Sequence, residues 1–222
     1  MGFKVAIDGP AGAGKSTIAK TVAKKLGFIY VDTGAMYRAM ALFLMRERVN
    51  AGNKEAVERK CAEADITIRY EDDEQVVYLN GENVNGLIRT EQVSNMASQT
   101  SKNVAVREKL VSLQQKLAKD TDVVMDGRDI GTCVLPDAEV KVFLTANSRV
   151  RAERRCKELT AKGEACDIDA IEKDIIKRDH QDMTREVSPL LPADDAFFID
   201  SSYMTIEQVA EEILGKVKSV WK

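Results

Sequence analysis

The residues best suited to chemistry lie near the start of the chain. Gly9-Pro10-Ala11-Gly12-Ala13-Gly14-Lys15-Ser16-Thr17 follows the pattern glycine, four residues, glycine-lysine-serine. Glycines let a backbone curl tightly, so that successive N–H groups point inward at an anion. A helix starting at the same place adds partial positive charge. Lys15 can then reach the β and γ phosphates of a nucleoside triphosphate, and the Ser16 hydroxyl can ligate Mg²⁺. The chemistry this supports is phosphate binding and, with a second substrate, phosphoryl transfer. An ordinary glycine-rich strand-to-helix turn is the plainer alternative. With Lys and Ser both present and the flanks correct, it carries little weight.

Phosphoryl transfer also needs cations for the acceptor. Asp32-Thr33-Gly34-Ala35-Met36-Tyr37-Arg38 follows an apolar run and opens a helix, with Arg38 one turn in. Asp126-Gly127-Arg128-Asp129 follows Val123-Val124-Met125. Asp126 thus stands where a carboxylate can orient Mg²⁺ or its waters. Arg128, one residue past the glycine, is free to project. Arg178 and Arg185 are seven residues apart, two helical turns, and share a face if the helix continues. Duller readings compete for each residue. Arg38 could be a surface residue, Asp126 and Asp129 could be caps, and the arginines after Ser148 could pair with Glu153, Glu158 and Glu172 on a solvated face. Taken together, several Asp and Arg residues at strand ends beside a phosphate loop favour a site.

Five short apolar runs read as strands: Phe3 to Ile7, Phe28 to Val31, Val123 to Met125, Val140 to Leu144 and Phe197 to Ile199. Helical patterns lie between most of them. The alternation predicts an α/β domain with a parallel sheet flanked by helices, and ligands at the carboxyl ends of the strands. Two segments interrupt it. Ile66 to Tyr70 and Gln75 to Gly81, joined by Glu71-Asp72-Asp73-Glu74, alternate like small antiparallel hairpins, and helical stretches follow at about 91–100 and 104–118. The second, Ser148 to Leu191, is basic and reads as two helices joined around Ala161-Lys162-Gly163. Ile206 to Val217 is an amphipathic helix expected to pack on the sheet, with Trp221 frayed beyond it. We therefore expect one domain over 1–222: a core of 1–48, 120–147 and 192–222, an inserted lobe of about 49–119, and a lid of about 148–191.

A composition of 44% hydrophobic and 31% charged residues places the chain with soluble globular proteins. A net charge of -3 gives no bulk attraction to nucleic acid or anionic membrane, so any polyanion must be held by local Arg and Lys. No apolar run approaches a spanning helix, and the start has no signal-peptide pattern. The expectation is a cytoplasmic monomer acting on small molecules, with neither nucleic acid nor membrane as partner. Cys61, Cys133, Cys156 and Cys166 form no C-x-x-C, and His180 is the one histidine, which argues against a zinc site. Four reduced cysteines are expected.

The segments GPAGAGKST, VDTGAMYR, NGENVNGLIRTEQVSNMAS, VREKL, DGRDIGT, IKRDHQDMTR and FFIDSS, spread over nearly the whole chain, resemble the bacterial cytidylate kinases. DTGAMYR together with DGRDIGT is the specific part, because many folds share the phosphate loop. The resemblance implies a P-loop nucleotide-kinase fold and transfer of the γ-phosphoryl of ATP to CMP or dCMP, with Mg²⁺. It implies that Gly9 to Thr17 bind ATP, with Lys15, Arg128 and Arg185 as the catalytic cations. Arg38, Arg128 and Arg185 would hold the acceptor phosphate. Thr33, Arg107 and Asp129 would read cytosine, and Ser98, Arg178 and Asp182 would approach the ribose. Ser16 and Asp126 would serve the metal. Which of Arg149, Arg151, Arg154 and Arg155 approaches the transferring phosphoryl stays open. Rival readings are another small P-loop kinase, a GTPase switch and a nucleic-acid-dependent ATPase. The switch lacks its guanine-reading element, since Asn53-Lys54-Glu55-Ala56 has no Asp and follows no core strand. The ATPase lacks an aromatic and basic platform.

Overall fold

The computed structural model describes residues 2–72, 74–161 and 163–221. It divides into two compact units, one of residues 1–29 and 121–222 and one of residues 30–120. In the first unit, β1 (Lys4–Asp8) leads through the glycine loop into α1 (Lys15–Leu26). β2 (Ile29–Asp32) straddles the division, and the N–H of Ile29 donates to Asp122 O at 3.0 Å. The first unit resumes with β6 (Val123–Gly127), a π-helical turn Ile130–Val134, β7 (Val140–Thr145), α6 (Ser148–Ala161), α7 (Ile168–Thr184), β8 (Phe197–Asp200) and α8 (Ile206–Val220).

The expected five-stranded parallel sheet is present, in the order β2-β6-β1-β7-β8. β1 is central: Asp8 lies level with Gly127 of β6 and Phe143 of β7. Val5, Ala6, Ile7, Val123, Val124 and Met125 are wholly buried, which is why these strands read as unbroken apolar runs rather than alternating ones. Each such large side chain contributes about 1.5–3 kcal/mol relative to exposure. Ile18, Ala19 and Val22 of α1 and Val209, Ala210, Ile213 and Val217 of α8 supply the helical cover. Thr205 and Gln208 form a reciprocal capping box that starts α8. Trp221 is not frayed, contrary to the sequence reading. Its ring centroid lies 5.1 Å from that of Phe28 and 5.8 Å from that of Phe3, an aromatic cluster of residues distant in sequence.

The second unit holds α2 (Thr33–Arg46), α3 (Lys54–Cys61), β3 (Ile66–Glu71), β4 (Glu74–Leu79), β5 (Glu82–Asn83), α4 (Glu91–Thr100) and α5 (Val104–Ala118). β3, β4 and β5 form the small antiparallel sheet that the alternation predicted, with Arg69 opposite Val76. Asp73 and Lys162, which the sequence reading placed in connections, lie outside the described residues. α2 packs against α3, α4, α5 and β4, burying Met36, Met40 and Leu44 completely. It is grouped by its contacts with the inserted segment, although the sequence assigns it to the core.

Cys61 and Cys133 are free thiols, whereas Cys156 and Cys166 are joined as a disulfide with Cα atoms 5.5 Å apart. The expectation of four reduced cysteines is thereby corrected. The end of α6 and the loop entering α7 fold back on each other, which brings the two sulfurs together without a C-x-x-C spacing.

Candidate active site

The first unit carries the phosphate loop. Gly9 has φ +148°, and a Cβ there would stand 1.9 Å from the carbonyl oxygen of Leu144. Only glycine lets the loop leave β1 this close to β7. Gly14, in the left-handed region at φ 89°, precedes α1, so Lys15 and Ser16 begin the helix. Lys15 is 5% exposed and its Nζ donates to Pro10 O at 2.7 Å across the loop. Burial pushes its ammonium down to about 7, with the charge of Arg128 as the next cause, against the pull of Asp126, Asp8 and Asp182. The Ser16 hydroxyl donates to Asp126 Oδ2 at 3.1 Å, placing both expected metal-serving oxygens together.

Asp8 enters this arrangement without having been read as functional. It ends β1 almost fully buried, and its carboxylate accepts the backbone N–H groups of Ile130 at 2.8 Å and Gly131 at 2.7 Å. These are the first two residues of the π-helical turn, so Asp8 caps it from a neighbouring strand. Burial pushes the Asp8 carboxyl up to about 6 despite those two hydrogen bonds. The turn it holds follows directly on Arg128 and Asp129.

Those two residues meet the end of α7. Arg128 Nε donates to Asp182 Oδ2 at 3.0 Å. Arg185 Nη2 lies 3.7 Å from Asp129 Oδ1, and Arg185 Nη1 lies 4.0 Å from Asp182 Oδ1. Arg128 and Asp129 on one side and Asp182 and Arg185 on the other, more than fifty residues apart in sequence, therefore share one cluster. The helical continuation that would align Arg178 with Arg185 does not occur. α7 stops at Thr184, Arg185 is extended at ψ 143°, and its Nε donates to Ser188 O at 2.6 Å. Arg178 stays on α7, half-buried.

The four open arginines of α6 separate by their partners. Arg149 pairs with Asp169 and Glu172, and Arg155 with Glu158, on the exposed face that the duller reading described. Arg151 is buried and binds three ways: to Ala146 O, to Ala11 O in the phosphate loop at 2.9 Å, and to Asp179 of α7. Arg154 reaches Ser201 O at 2.7 Å. Among the described residues, Arg151 is the one of these four that hydrogen-bonds the loop, a role that spacing does not reveal.

The second unit carries the other expected residues. Asp32 caps α2 by accepting from Ala35 N at 2.9 Å, which explains why Thr33 is the first helical residue and is buried. Arg38, one turn in, donates to Asp32 Oδ2 at 3.0 Å. Arg107 of α5 is 3% exposed, with its guanidinium 5.6 Å above the ring of Tyr37 and Nη1 donating to Ser101 O at 3.3 Å. Ser98 is half-buried on α4, which packs on α2.

The family model for cytidylate kinase matches residues 5–219. The chain belongs to the cytidylate kinase family. It is 51% identical over 212 residues to the cytidylate kinase of Caldicellulosiruptor saccharolyticus, covering 96% of this chain and 94% of that one. The cytidylate kinase of Bacillus thuringiensis is 46% identical over 219 residues, covering 99% and 97%. Among solved structures, a gluconokinase from Sinorhizobium meliloti matches with a TM-score of 0.51 at 12% identity, over 98% of this chain and 93% of that one. A shikimate kinase from Bacteroides thetaiotaomicron matches with a TM-score of 0.50 at 14% identity, over 97% and 98%. These two likenesses establish the P-loop kinase fold. Membership of the cytidylate kinase family makes the chain an ATP-dependent kinase of CMP and dCMP.

Proposed function

We propose that this chain transfers the γ-phosphoryl of ATP to CMP or dCMP through the residues assigned by motif. What supports this most is within one unit: the phosphate loop and the Asp126-Gly127-Arg128-Asp129 turn end adjacent strands and are joined by the Ser16–Asp126 hydrogen bond. The backbone of Gly9 to Thr17 cradles the ATP phosphates, and Lys15 neutralises charge on the β and γ oxygens. Arg38, Arg128 and Arg185 take the acceptor phosphate. Thr33, Arg107 and Asp129 read cytosine, and Ser98, Arg178 and Asp182 the ribose. An oxygen of the CMP phosphate attacks the γ phosphorus, the bond to the β–γ bridging oxygen breaks, and ADP leaves. The acceptor is a dianion near neutral pH and needs no general base, so catalysis is alignment plus electrostatics. Cytosine presents an N4 amino donor that a carboxylate accepts well, whereas uracil opposes Asp129 with a second acceptor.

Ser16 and Asp126 suit Mg²⁺, since both offer hard oxygens at one spot. The described residues hold no group of three or more His, Cys, Asp or Glu that could cage a metal. That fits an ion that keeps waters and phosphate oxygens as its remaining ligands. When bound, it supplies charge neutralisation on the β and γ phosphates. Residues 49–119 act as the acceptor lobe and 148–191 as the lid of a single kinase domain. The chain works as a cytoplasmic monomer on small molecules, with no nucleic-acid or membrane partner. No helix among the described residues is long and apolar enough to cross a membrane.

The test is a steady-state assay of ATP against CMP, dCMP, UMP, AMP and GMP, with ADP formation as the readout. CMP and dCMP should lead on kcat/KM. A panel led by a purine nucleotide overturns the assignment.

A further inference from the structure

β2 stands at one end of the five-stranded order, so its outer edge carries no strand among the described residues. The N–H of Ile29 donates to Asp122 O, and alternation along the strand sends the peptide groups of Tyr30 and Asp32 to the other edge. Side chains of the β3–β4 hairpin meet them there. Gln75 acts as a surrogate strand: its Oε1 accepts from Asp32 N at 2.7 Å, and its Nε2 donates to Asp32 O at 3.2 Å. A paired antiparallel residue makes the same two bonds. Tyr70, opposite Gln75 in the hairpin register, donates its hydroxyl to Tyr30 O at 3.1 Å. Gln75 is itself held from behind. Asn85 Nδ2 donates to Gln75 O at 3.0 Å, and Asn85 Oδ1 accepts from Val77 N at 3.0 Å.

Covering a sheet edge does not require this. A short strand, a charge or a proline blunts an edge as well. What sets Gln75 apart is the residue it grips. Its two bonds fix the peptide before Asp32 and the peptide after it, and so bracket both backbone angles of that residue, φ -81° and ψ 94°. Asp32 is 6% exposed and is the residue on which α2 begins, through Ala35 N, and to which Arg38 Nη2 is tied. The peptide after Asp32 leads directly into Thr33. One amide side chain of the inserted hairpin thus sets the start of the helix that carries both Thr33 and Arg38.

We propose that Gln75 is a positioning residue for CMP binding, acting through the backbone of Asp32 to place Thr33 and Arg38. This rests on the reading of those two residues as acceptor-site residues, and adds the element that presents them. A site fixed before its ligand arrives loses less entropy on binding. Loss of the clasp moves Thr33 and Arg38 together, so CMP and dCMP weaken alike. The ATP loop shares no bond with Gln75 and keeps its affinity.

The experiment uses the full chain and three variants. Gln75→Met keeps the size of the side chain and removes both bonds to Asp32. Asn85→Ala loosens the strand under Gln75 and leaves its amide in place. Tyr70→Phe removes the neighbouring bond to the same edge, on a residue that leads into neither Thr33 nor Arg38. KM for CMP should rise about 3- to 10-fold in Gln75→Met, the range for the loss of one or two neutral hydrogen bonds, with kcat and KM for ATP near those of the wild type. Asn85→Ala should show a smaller rise of the same kind, and decides the matter if Gln75→Met does not fold. Tyr70→Phe should lower the melting temperature and leave KM for CMP unchanged. An unchanged KM for CMP in folded Gln75→Met, or in Asn85→Ala where that variant must decide, overturns the proposal. So does an equal rise in Tyr70→Phe, or a rise in KM for ATP that matches the rise for CMP, since those mark general cover of the edge. A wild-type chain that converts another acceptor and leaves CMP untouched overturns the acceptor reading instead, and is seen in the same assay.

Discussion

The carboxylate of Asp8 accepts the backbone N–H of Gly131 at 2.7 Å, across the gap from the end of β1 to the turn after β6. With the Ile130 N–H on its other oxygen, it fixes the turn that begins immediately after Arg128 and Asp129. The phosphate loop starts at the next residue, Gly9. One buried side chain thus ties the two segments that the proposed mechanism needs in register.

This tie depends on pH. Burial raises the Asp8 carboxyl to about 6 from an ordinary value of 3.8. The folded state holds the proton more tightly than the unfolded chain, so this group makes the fold less stable as pH rises from about 4 to about 6. The ionised form nevertheless serves both amides, whereas a proton on one oxygen opposes one of them. We expect kcat/KM for CMP to fall as pH drops below about 6. The CMP phosphate titrates near about 6 as well, so the comparison that isolates Asp8 is with Asp8→Asn. That variant should lose its share of the acid limb and sit lower at neutral pH, with stability reduced by about 1–3 kcal/mol for one opposed buried N–H. Identical pH profiles for the two enzymes would remove Asp8 from the account.

Lys15 carries the opposite shift. Its ammonium is pushed down to about 7 by burial and by Arg128, from 10.5 in the unfolded chain. Between those values the unfolded chain binds more protons, so the empty protein gains stability from this group as pH rises through the window. Phosphates on the loop restore the favoured charge. ATP binding near pH 8 should therefore take up protons, seen as a binding heat that changes with the ionisation heat of the buffer. Lys15→Ala should abolish the uptake and cut turnover by orders of magnitude. A variant with near-normal kcat, or a wild type whose binding heat is the same in every buffer, contradicts the assignment.

Asp129 is 4% exposed, with Arg185 Nη2 3.7 Å from its carboxylate. If it accepts from the N4 amino group of cytosine, Asp129→Ala should lose most of its preference for CMP over UMP. A hydrogen bond to a charged group is worth roughly 1.5–3 kcal/mol, or about one to two decades in the ratio of kcat/KM values. An unchanged ratio assigns Asp129 to holding Arg185 rather than to reading the base.

The parts of this molecule legible in the sequence are those fixed by local pattern. Five apolar runs, each followed by Asp or Thr, give the sheet, most plainly in β1 and β6, which are buried on both faces and leave no polar alternation to confuse them. The loop from Gly9 to Ser16 is legible because its function demands glycine at fixed positions. The helix opening after Asp32 was legible because its cap on Ala35 is local, three residues on. Asp8 was missed, and Arg151 could not be chosen among its neighbours, because their partners are distant in sequence. Asp8 acts on residues more than a hundred positions away, and Arg151 on a carbonyl 140 residues away. Trp221 and the Cys156–Cys166 pair are likewise contacts made only by the folded chain. The end of α7 before Arg185 went unread because nothing at Thr184 marks a stop as a glycine would, and Pro189 comes four residues after Arg185.

The segment from Ser148 to Val187 offers the last prediction. Its arginines do not simply repel one another, as the density of positive charge suggests: Arg149, Arg151 and Arg155 each have a carboxylate partner within α6 or α7. Closure on substrates must then exchange carboxylate partners for phosphates, rather than merely relieve repulsion. Arg185 of this segment and Arg128 outside it are placed for such an exchange, since both meet Asp182. Water must be kept from the γ-phosphoryl, and a segment that assembles its cations only with both substrates present achieves this. We expect a bisubstrate analogue to increase hydrogen-exchange protection between Ser148 and Val187 along with that of the phosphate loop. Arg151 bridges Ala11 O and Asp179, so Arg151→Ala should uncouple the two, leaving loop protection while weakening the response of α7. Protection gained in the loop alone in the wild type, with α6 and α7 unmoved, would show that these helices are a fixed, solvated face and that the lid lies elsewhere.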